Sequence, residues 1–163
     1  MERDPPEPSP NGRRWSRHLP LLLIAGVTVA AYANALPGAF HLDDLYRVRD
    51  NPEIARFWPP WRHFVDPRTM STLDRIAAYR PLLPLSLSVD HALWGGHSAL
   101  GYHLTNLALQ LCCALLVFLF CRRLLQRGGV TTRLATTAGL GVALIFAVHP
   151  VSGIGVNYIC ARD

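Results

Sequence analysis

The stretch that decides the fold is LPLLLIAGVTVAAYANALPGAFHLDDLYR, which covers residues 19–47. Its first part, residues 19–36, carries no charge. As a helix it would reach ~27 Å, close to the thickness of a bilayer core. Pro37 and Gly38 stop that helix. Two adjacent acids, Asp43 and Asp44, follow a few residues later. We therefore expect both carboxylates at the membrane–water boundary.

Hydropathy and charge along the chain predict an all-α membrane protein. Half of the 163 residues are apolar, and they concentrate in three uncharged runs at 19–36, 103–121 and 134–150. Such runs favour three transmembrane helices over a soluble core. The net charge of +5 is spread over the ends of these runs and one long loop, which indicates membrane lipid as a partner and no nucleic acid. The four cysteines lack the C-x-x-C spacing of zinc and redox motifs.

Basic residues next to the apolar runs predict the orientation of the chain. Arginines stand before the first run and between the second and third runs, at Arg13, Arg14, Arg17, Arg122, Arg123, Arg127 and Arg133. By the positive-inside rule these segments lie in the cytoplasm. We predict a disordered cytoplasmic tail at 1–18, a cytoplasmic loop at 122–133, and extracytoplasmic segments at 37–102 and 151–163. A cleaved secretory signal peptide is an alternative for the first run and leaves the same topology downstream.

The long outer segment, 37–102, contains a further apolar run at 82–94. Its thirteen residues include Asp90, so it is too short and too polar to cross a bilayer. We predict a helix that lies on the membrane surface. Upstream of it, the sequence from Trp58 to Trp61 (WPPW) is a rigid turn with two tryptophans, of the kind found at membrane interfaces.

The acid pair is the first candidate for chemistry. Adjacent carboxylates repel each other, and an apolar boundary raises the pKa of either one. Asp43 or Asp44 could then take a proton from a hydroxyl as a general base, or the two could bind a divalent cation. The plain alternative is a solvated or helix-capping pair of acids. No other cofactor is indicated.

Polar residues on the second run form the next candidate group. His103, Asn106 and Gln110 share one face of a helix, and polar groups at this depth must face partners or a wet cavity. Hydrogen bonding between helices is an alternative explanation for them. His149 ends the third run and is expected in the same region. The histidines lack the H-x-x-x-H spacing of a zinc site.

Two further patterns bear on a membrane site and its packing. Outer arginines could hold a lipid phosphate through bidentate contacts; they are Arg47, Arg49 and Arg80. Along the third run small residues recur every fourth position, at Ala135, Gly139, Ala143 and Ala147. Such a stripe lets a neighbouring helix approach closely, and ordinary alanine-rich composition is the alternative explanation. For each of the three arginines the alternative is a solvated or paired side chain.

The order of short motifs along residues 36–163 resembles one known family. These motifs are Phe40-x-x-Asp43-Asp44, Asn51-Pro52, Tyr79-Arg80-Pro81-Leu82, Trp94-Gly95, Gly101-Tyr102-His103-Leu104-x-Asn106, Phe146-Ala147-x-His149-Pro150-Val151 and Ala161-Arg162-Asp163. They are similar to the N-terminal third of the transmembrane and tetratricopeptide-repeat-containing O-mannosyltransferases and their bacterial relatives, which are polytopic glycosyltransferases of the GT-C superfamily.

The resemblance implies an activity and a place. It implies transfer of a sugar from a polyprenyl-phosphate donor to an acceptor hydroxyl, on a protein Ser or Thr, outside the cytoplasm. The enzyme would be integral to the plasma or inner membrane of a bacterium, or to the endoplasmic reticulum of a eukaryote. Asp43 and Asp44 match the catalytic acids, one of them the base. The residues expected to bind substrate are Tyr79, Arg80, His103, Asn106, His149 and Asp163.

The chain also departs from the family pattern. Relatives commonly have His-Pro-Val-His-Thr-Glu where this chain has HPVSGI, from His149 to Ile154, and a histidine is frequent at Gln110. Three spans are fewer than a GT-C core has. We therefore expect a fragment or a truncated remnant, inactive as these 163 residues alone. The alternative function is a non-catalytic membrane scaffold.

Overall fold

The computed structural model describes residues 10–73, 79–96 and 98–162. Within those ranges the chain is helical, with short 3₁₀ and π turns and no strand, so the predicted all-α class is confirmed there. Asp163 lies outside the described residues. The α-helices of the described ranges are α1 (Pro10–Tyr32), α2 (Arg62–Val65), α3 (Leu82–Trp94), α4 (Ala99–Arg127), α5 (Thr132–Val148) and α6 (Ile154–Asn157).

Helix α1 begins earlier than the sequence indicated. We predicted a disordered tail over residues 1–18, but α1 begins at Pro10, so residues 10–18 are helical; residues 1–9 lie outside the described ranges. Proline suits the first position of a helix, because its ring presets φ and its missing N–H would have no partner there. Extending a helix that the apolar run already nucleates also costs little per residue.

Helices α1, α4 and α5 pack side by side into a bundle. Its core contains Ile24 of α1, Ala114 and Phe118 of α4, and Ala143 and Ala147 of α5. All four members of the small-residue stripe on α5 are buried, which confirms its predicted role in close packing. The stripe allows the backbones of α4 and α5 to approach each other closely.

Two of the predicted spans are long and apolar enough to cross a membrane in the described part of the chain. They are His18–Ala35, which extends α1 by a 3₁₀ turn, and the 29-residue α4. Helix α5 is apolar but has 17 residues. It ends at Val148 rather than at residue 150, because Pro150 drives the preceding His149 into an extended conformation (φ −66°, ψ 130°).

The predicted surface helix has the predicted bounds, Leu82–Trp94. It runs antiparallel to the start of α4, since Trp94 bonds to Thr105 while Leu82 and Leu83 lie near Leu109. Its buried leucines, Leu83 and Leu87, belong to a second core with Tyr102 of α4 and Ile159. The segment around Ile159 therefore folds back against both helices and covers the end of the bundle at which α4 begins.

Candidate functional site

The two acids of the pair have different environments. Asp44 is completely buried, and its carboxylate oxygens accept hydrogen bonds from the backbone N–H groups of His41 (3.2 Å) and Cys160 (3.0 Å). The turn before it includes Leu42 at φ 44°, a left-handed conformation that redirects the chain after α1. Asp44 thus ties the first outer segment to residues more than 100 positions later in the chain.

Asp43 points the other way, toward solvent. Its side chain is 47% exposed and its Oδ2 lies 3.8 Å from Nη2 of Arg47. Tyr46 hydrogen-bonds to the same carboxylate, and this bond raises the pKa of the Tyr46 hydroxyl, because a carboxylate acceptor stabilises the protonated phenol. Of the pair, therefore, Asp43 is the acid that a solvent-borne hydroxyl could approach.

Cys160 lies directly behind Asp44. Burial raises the pKa of its thiol to about 12, and its hydrogen bond to Asp44 adds to the effect. Because the thiolate is the nucleophilic form of cysteine, this buried thiol is not a reactive group. It belongs to the packing that holds the acid pair.

A buried network centred on Arg162 joins α3, the first turns of α4 and the segment after α6. Arg162 pairs with Asp90 of α3, and both side chains are almost fully buried, at 5% and 2% exposed. The guanidinium also donates to the oxygens of Asn106 and, at longer distance, of Ser86 and Tyr102. Thr105 donates to the second oxygen of Asp90 at 2.8 Å.

Sequence reasoning missed this network. Asp90 was treated only as a polar residue that argued against a span, and Arg162 only as part of a motif. An acid that is buried in an apolar helix needs a cation partner or a proton. The presence of Asp90 in such a helix was therefore the signal that a buried cation lies nearby.

The polar face of α4 is buried, as predicted, and each of its three side chains donates to a backbone carbonyl. His103 Nδ1 donates to Val156 O (2.9 Å), Asn106 to Tyr158 O and Ile159 O (both 3.4 Å), and Gln110 to Ala147 O (3.5 Å). Among the described residues, His103 Nε2 is buried without a hydrogen-bond partner. A Cβ on Gly38 would lie 2.9 Å from that nitrogen, so the loop after α1 can pass His103 only because residue 38 is glycine.

Two cavities meet at Arg162. One of about 510 Å³ is lined by Asn106, Gln110, Val156 and neighbouring residues, and one of about 530 Å³ by Arg80, Leu82, Leu83 and Ser86. Leu109 and Arg162 line both. The second cavity combines Arg80 with leucine side chains, so a basic and an apolar group line it together, whereas the charge of Arg162 is paired with Asp90.

Comparison with known proteins agrees with the motif resemblance. The chain is 29% identical over 138 residues to protein O-mannosyl-transferase TMTC4 of Homo sapiens, covering 80% of this chain and 19% of the relative. It is 30% identical over 145 residues to TMTC2 of Mus musculus (86% and 16%), and 32% identical over 152 residues to Tmtc1 of Drosophila melanogaster (89% and 16%). This chain is similar to the TMTC protein O-mannosyl-transferases.

The chain spans less than a fifth of the length of these TMTC relatives. No protein-family model matches it, and no solved structure matches it. The similarity thus covers most of this chain but only a small part of each TMTC protein.

The structure brings together some of the residues that the TMTC resemblance marked for substrate binding. Arg80 and Asn106 line the two cavities that meet at Arg162, and His103 lies buried one helical turn from Asn106. Tyr79 and His149 line neither of these two cavities. The Tyr79 hydroxyl donates to Phe64 O (2.8 Å), and His149 Nδ1 accepts from the backbone N–H of Val151 (3.2 Å).

The described residues hold no group of three or more His, Cys, Asp or Glu side chains that could bind a metal ion. Of the two acids considered as cation ligands, Asp44 already accepts two backbone N–H groups. Asp43 is the one with an exposed carboxylate.

Proposed function

We propose that this chain is the N-terminal part of a membrane-embedded protein glycosyltransferase of the GT-C type. The protein O-mannosyl-transferase names of its relatives support the class of reaction. The two helices of membrane length, with α5 packed against both, support a three-span arrangement. The arginines at the end of α4 and before the first run support a cytoplasmic N-terminus, with residues 37–102 outside.

The proposed reaction moves a sugar from a polyprenyl-phosphate donor to a Ser or Thr hydroxyl of a protein. The bond between the anomeric carbon and the donor phosphate oxygen breaks, and a bond to the acceptor oxygen forms. Asp43 takes the proton of the acceptor hydroxyl, and the phosphate leaves with the lipid. A divalent cation stays an open part of this proposal, with Asp43 as its ligand.

One observation carries the role of Asp43: it is the half-exposed member of the pair, whereas Asp44 is buried and both of its oxygens accept backbone hydrogen bonds. A general base must reach the proton that it removes, and a carboxylate at the surface can do so. Asp44 then holds the turn in which Asp43 stands.

The donor side of the proposal uses the cavity lined by Arg80, with Arg80 as the residue that meets the phosphate. The Arg162 guanidinium at the same cavity is already bonded to Asp90 and Asn106 and holds the cavity wall. Guanidinium groups bind phosphate oxygens in bidentate fashion, and the leucines of the same cavity suit an isoprenoid chain. Tyr79, His103, Asn106, His149 and Asp163 stay predictions for substrate binding.

The test is Asp43→Asn in the full-length protein. Asparagine keeps the shape but cannot accept the proton, so we expect sugar transfer to fall by about 10²–10⁴-fold. Membrane insertion and thermal unfolding should stay as in the wild type, since the Asp43 side chain lies at the surface. Transfer is measured with a polyprenyl-phosphate sugar and an acceptor peptide.

Asp50→Asn is the matched control, because Asp50 is an exposed acid of the same segment whose hydrogen bonds go to Arg49. It should transfer sugar at the wild-type rate. Wild-type transfer by the Asp43→Asn protein would overturn the proposed base. Absence of transfer by the wild-type protein would instead favour the scaffold alternative.

A further inference from the structure

An exposed apolar surface follows the first outer turn of the chain. Its members lie within residues 57–65, here called the aromatic turn, and are Phe57, Trp58, Trp61, Phe64 and Val65. Trp58 is 72% exposed and Val65 74% exposed. The two indoles meet edge to face, with ring centroids 5.9 Å apart, and so form one surface. Contiguous exposed apolar surface of this kind marks a site of interaction.

The aromatic turn is fixed to helix α3. Between the exposed residues, His63 is buried, and its Nε2 lies 3.2 Å from Ser88 Oγ in a hydrogen bond. Tyr79, just before α3, donates its hydroxyl proton to Phe64 O (2.8 Å). The position of α3 therefore sets the position of the aromatic turn.

The hydrogen bonds of α3 determine which part of α4 lies beside it. Ser86 and Asp90 lie on either side of Ser88 in the helix, and both bond to Arg162. The same guanidinium bonds to Asn106 and to the carbonyl of Tyr102. The aromatic turn thus lies level with the first two turns of α4.

The length of α4 gives the depth at which the aromatic turn lies in a membrane. From Tyr102–Asn106 to Arg122, the first charged residue of α4, a helix rises ~24–30 Å. That distance matches the hydrocarbon core of a bilayer, ~30 Å thick. With the arginines of α4 at the cytoplasmic face, the aromatic turn falls at the outer edge of the hydrocarbon, where tryptophan side chains are enriched.

We propose that the aromatic turn inserts into the headgroup layer of the outer leaflet and sets the depth at which the outer segment lies. Leu82 and Leu93 of α3 are also exposed and continue the same lipid-facing surface. Arg56 is exposed beside the turn, 3.8 Å from Glu53, and its guanidinium has donors suited to the phosphate of a lipid headgroup. This inference rests on the membrane topology proposed above, but not on the role of Asp43.

Spin labels placed one at a time in the full-length protein, in phospholipid vesicles, test the insertion. The labels replace Trp61 and Val65 (Trp61→Cys, Val65→Cys), with Leu116→Cys on the exposed face of α4 and Asp50→Cys in the outer segment as references. Other reactive cysteines are changed to alanine. Cys160 stays, since burial raises its pKa to about 12 and it will not label. Collision rates with dissolved oxygen and with a water-soluble nickel complex are measured.

We expect the oxygen-to-nickel collision ratio at 61 and 65 to lie between the references and several-fold above that of Asp50→Cys. A ratio equal to that of Asp50→Cys would put the turn in water and overturn the proposal. Low collision rates with both reagents would also overturn it, because they would mean that protein covers the turn. A Leu116→Cys label without oxygen preference would instead refute the membrane topology, and activity of Asp43→Asn tests the catalytic proposal separately.

Discussion

At the scale of single residues, two neighbouring aspartates have the same chemistry but different environments, because they contact different partners. Asp44 faces inward to the backbone of His41 and Cys160, and Asp43 faces outward beside Arg47 and Tyr46. A buried carboxylate that accepts charged hydrogen bonds stabilises the local structure, whereas an exposed one is available for proton transfer.

We expect Asp44→Asn to destabilise the protein where Asp43→Asn does not. The amide has one acceptor oxygen in place of two, so one buried backbone N–H would lose its partner at a cost of about 1–3 kcal/mol. Asp43→Asn removes a surface carboxylate and should change the free energy of unfolding by about 0.5 kcal/mol or less. Thermal unfolding of both proteins in detergent compares them. Equal stability of the two variants would contradict the structural role of Asp44.

At the scale of helices, the contact between α4 and α5 depends on small side chains. A Cβ on Gly139 would lie 3.2 Å from the backbone nitrogen of Arg122 and 3.3 Å from the carbonyl oxygen of Phe118. Those atoms belong to the α4 backbone and cannot swing aside as a flexible side chain can. The residue on α5 at this position therefore sets how closely the two helices approach.

Gly139→Val should separate α4 from α5. The added methyl groups have no room against the α4 backbone, and we expect a loss of about 1–3 kcal/mol of stability, as for other overpacked sites. Gly141→Val is the control, since a Cβ there meets nothing within 4 Å in the described part of the chain. Heat-induced unfolding should show the difference. A Gly139→Val protein as stable as the control would show that the helices pack less closely than described.

At the scale of the whole molecule, the end of the described chain covers the end of the bundle at which α4 begins. Arg162 reaches Asp90 of α3 and Asn106 of α4, and Asp44 holds Cys160 against the first outer turn. These contacts join the two outer segments on either side of the α4–α5 pair. The candidate site exists only while they hold.

Removing one partner of the buried Arg162–Asp90 ion pair should destabilise the packing of the chain end against α3 and α4. Asp90→Asn leaves the Arg162 charge buried and unpaired, which costs about 3–5 kcal/mol in comparable buried pairs. Arg56→Gln breaks an exposed pair with Glu53 (3.8 Å) and should cost about 0–1 kcal/mol. The midpoint of unfolding and the protease sensitivity of the outer segment report the effect. If Asp90→Asn is as stable as Arg56→Gln, the ion pair does not hold the chain end in place.

Much of the helical architecture was predictable from the sequence. The apolar runs predicted helices in the right order, α3 has the predicted bounds, and the small-residue stripe lies at the predicted contact. The helical start at Pro10 was not predicted, because its residues are polar and depend on the helix that follows them.

The sequence alone determined which segments are helical and which are apolar, since both properties depend on residues a few positions apart. Tertiary structure alone decided that Asp44 is buried while Asp43 is exposed, and that Arg162 pairs with Asp90. Those environments are made by segments separated by 116 and 72 positions in the chain. No local pattern records such distant contacts, because burial and ion pairing arise only when the helices pack.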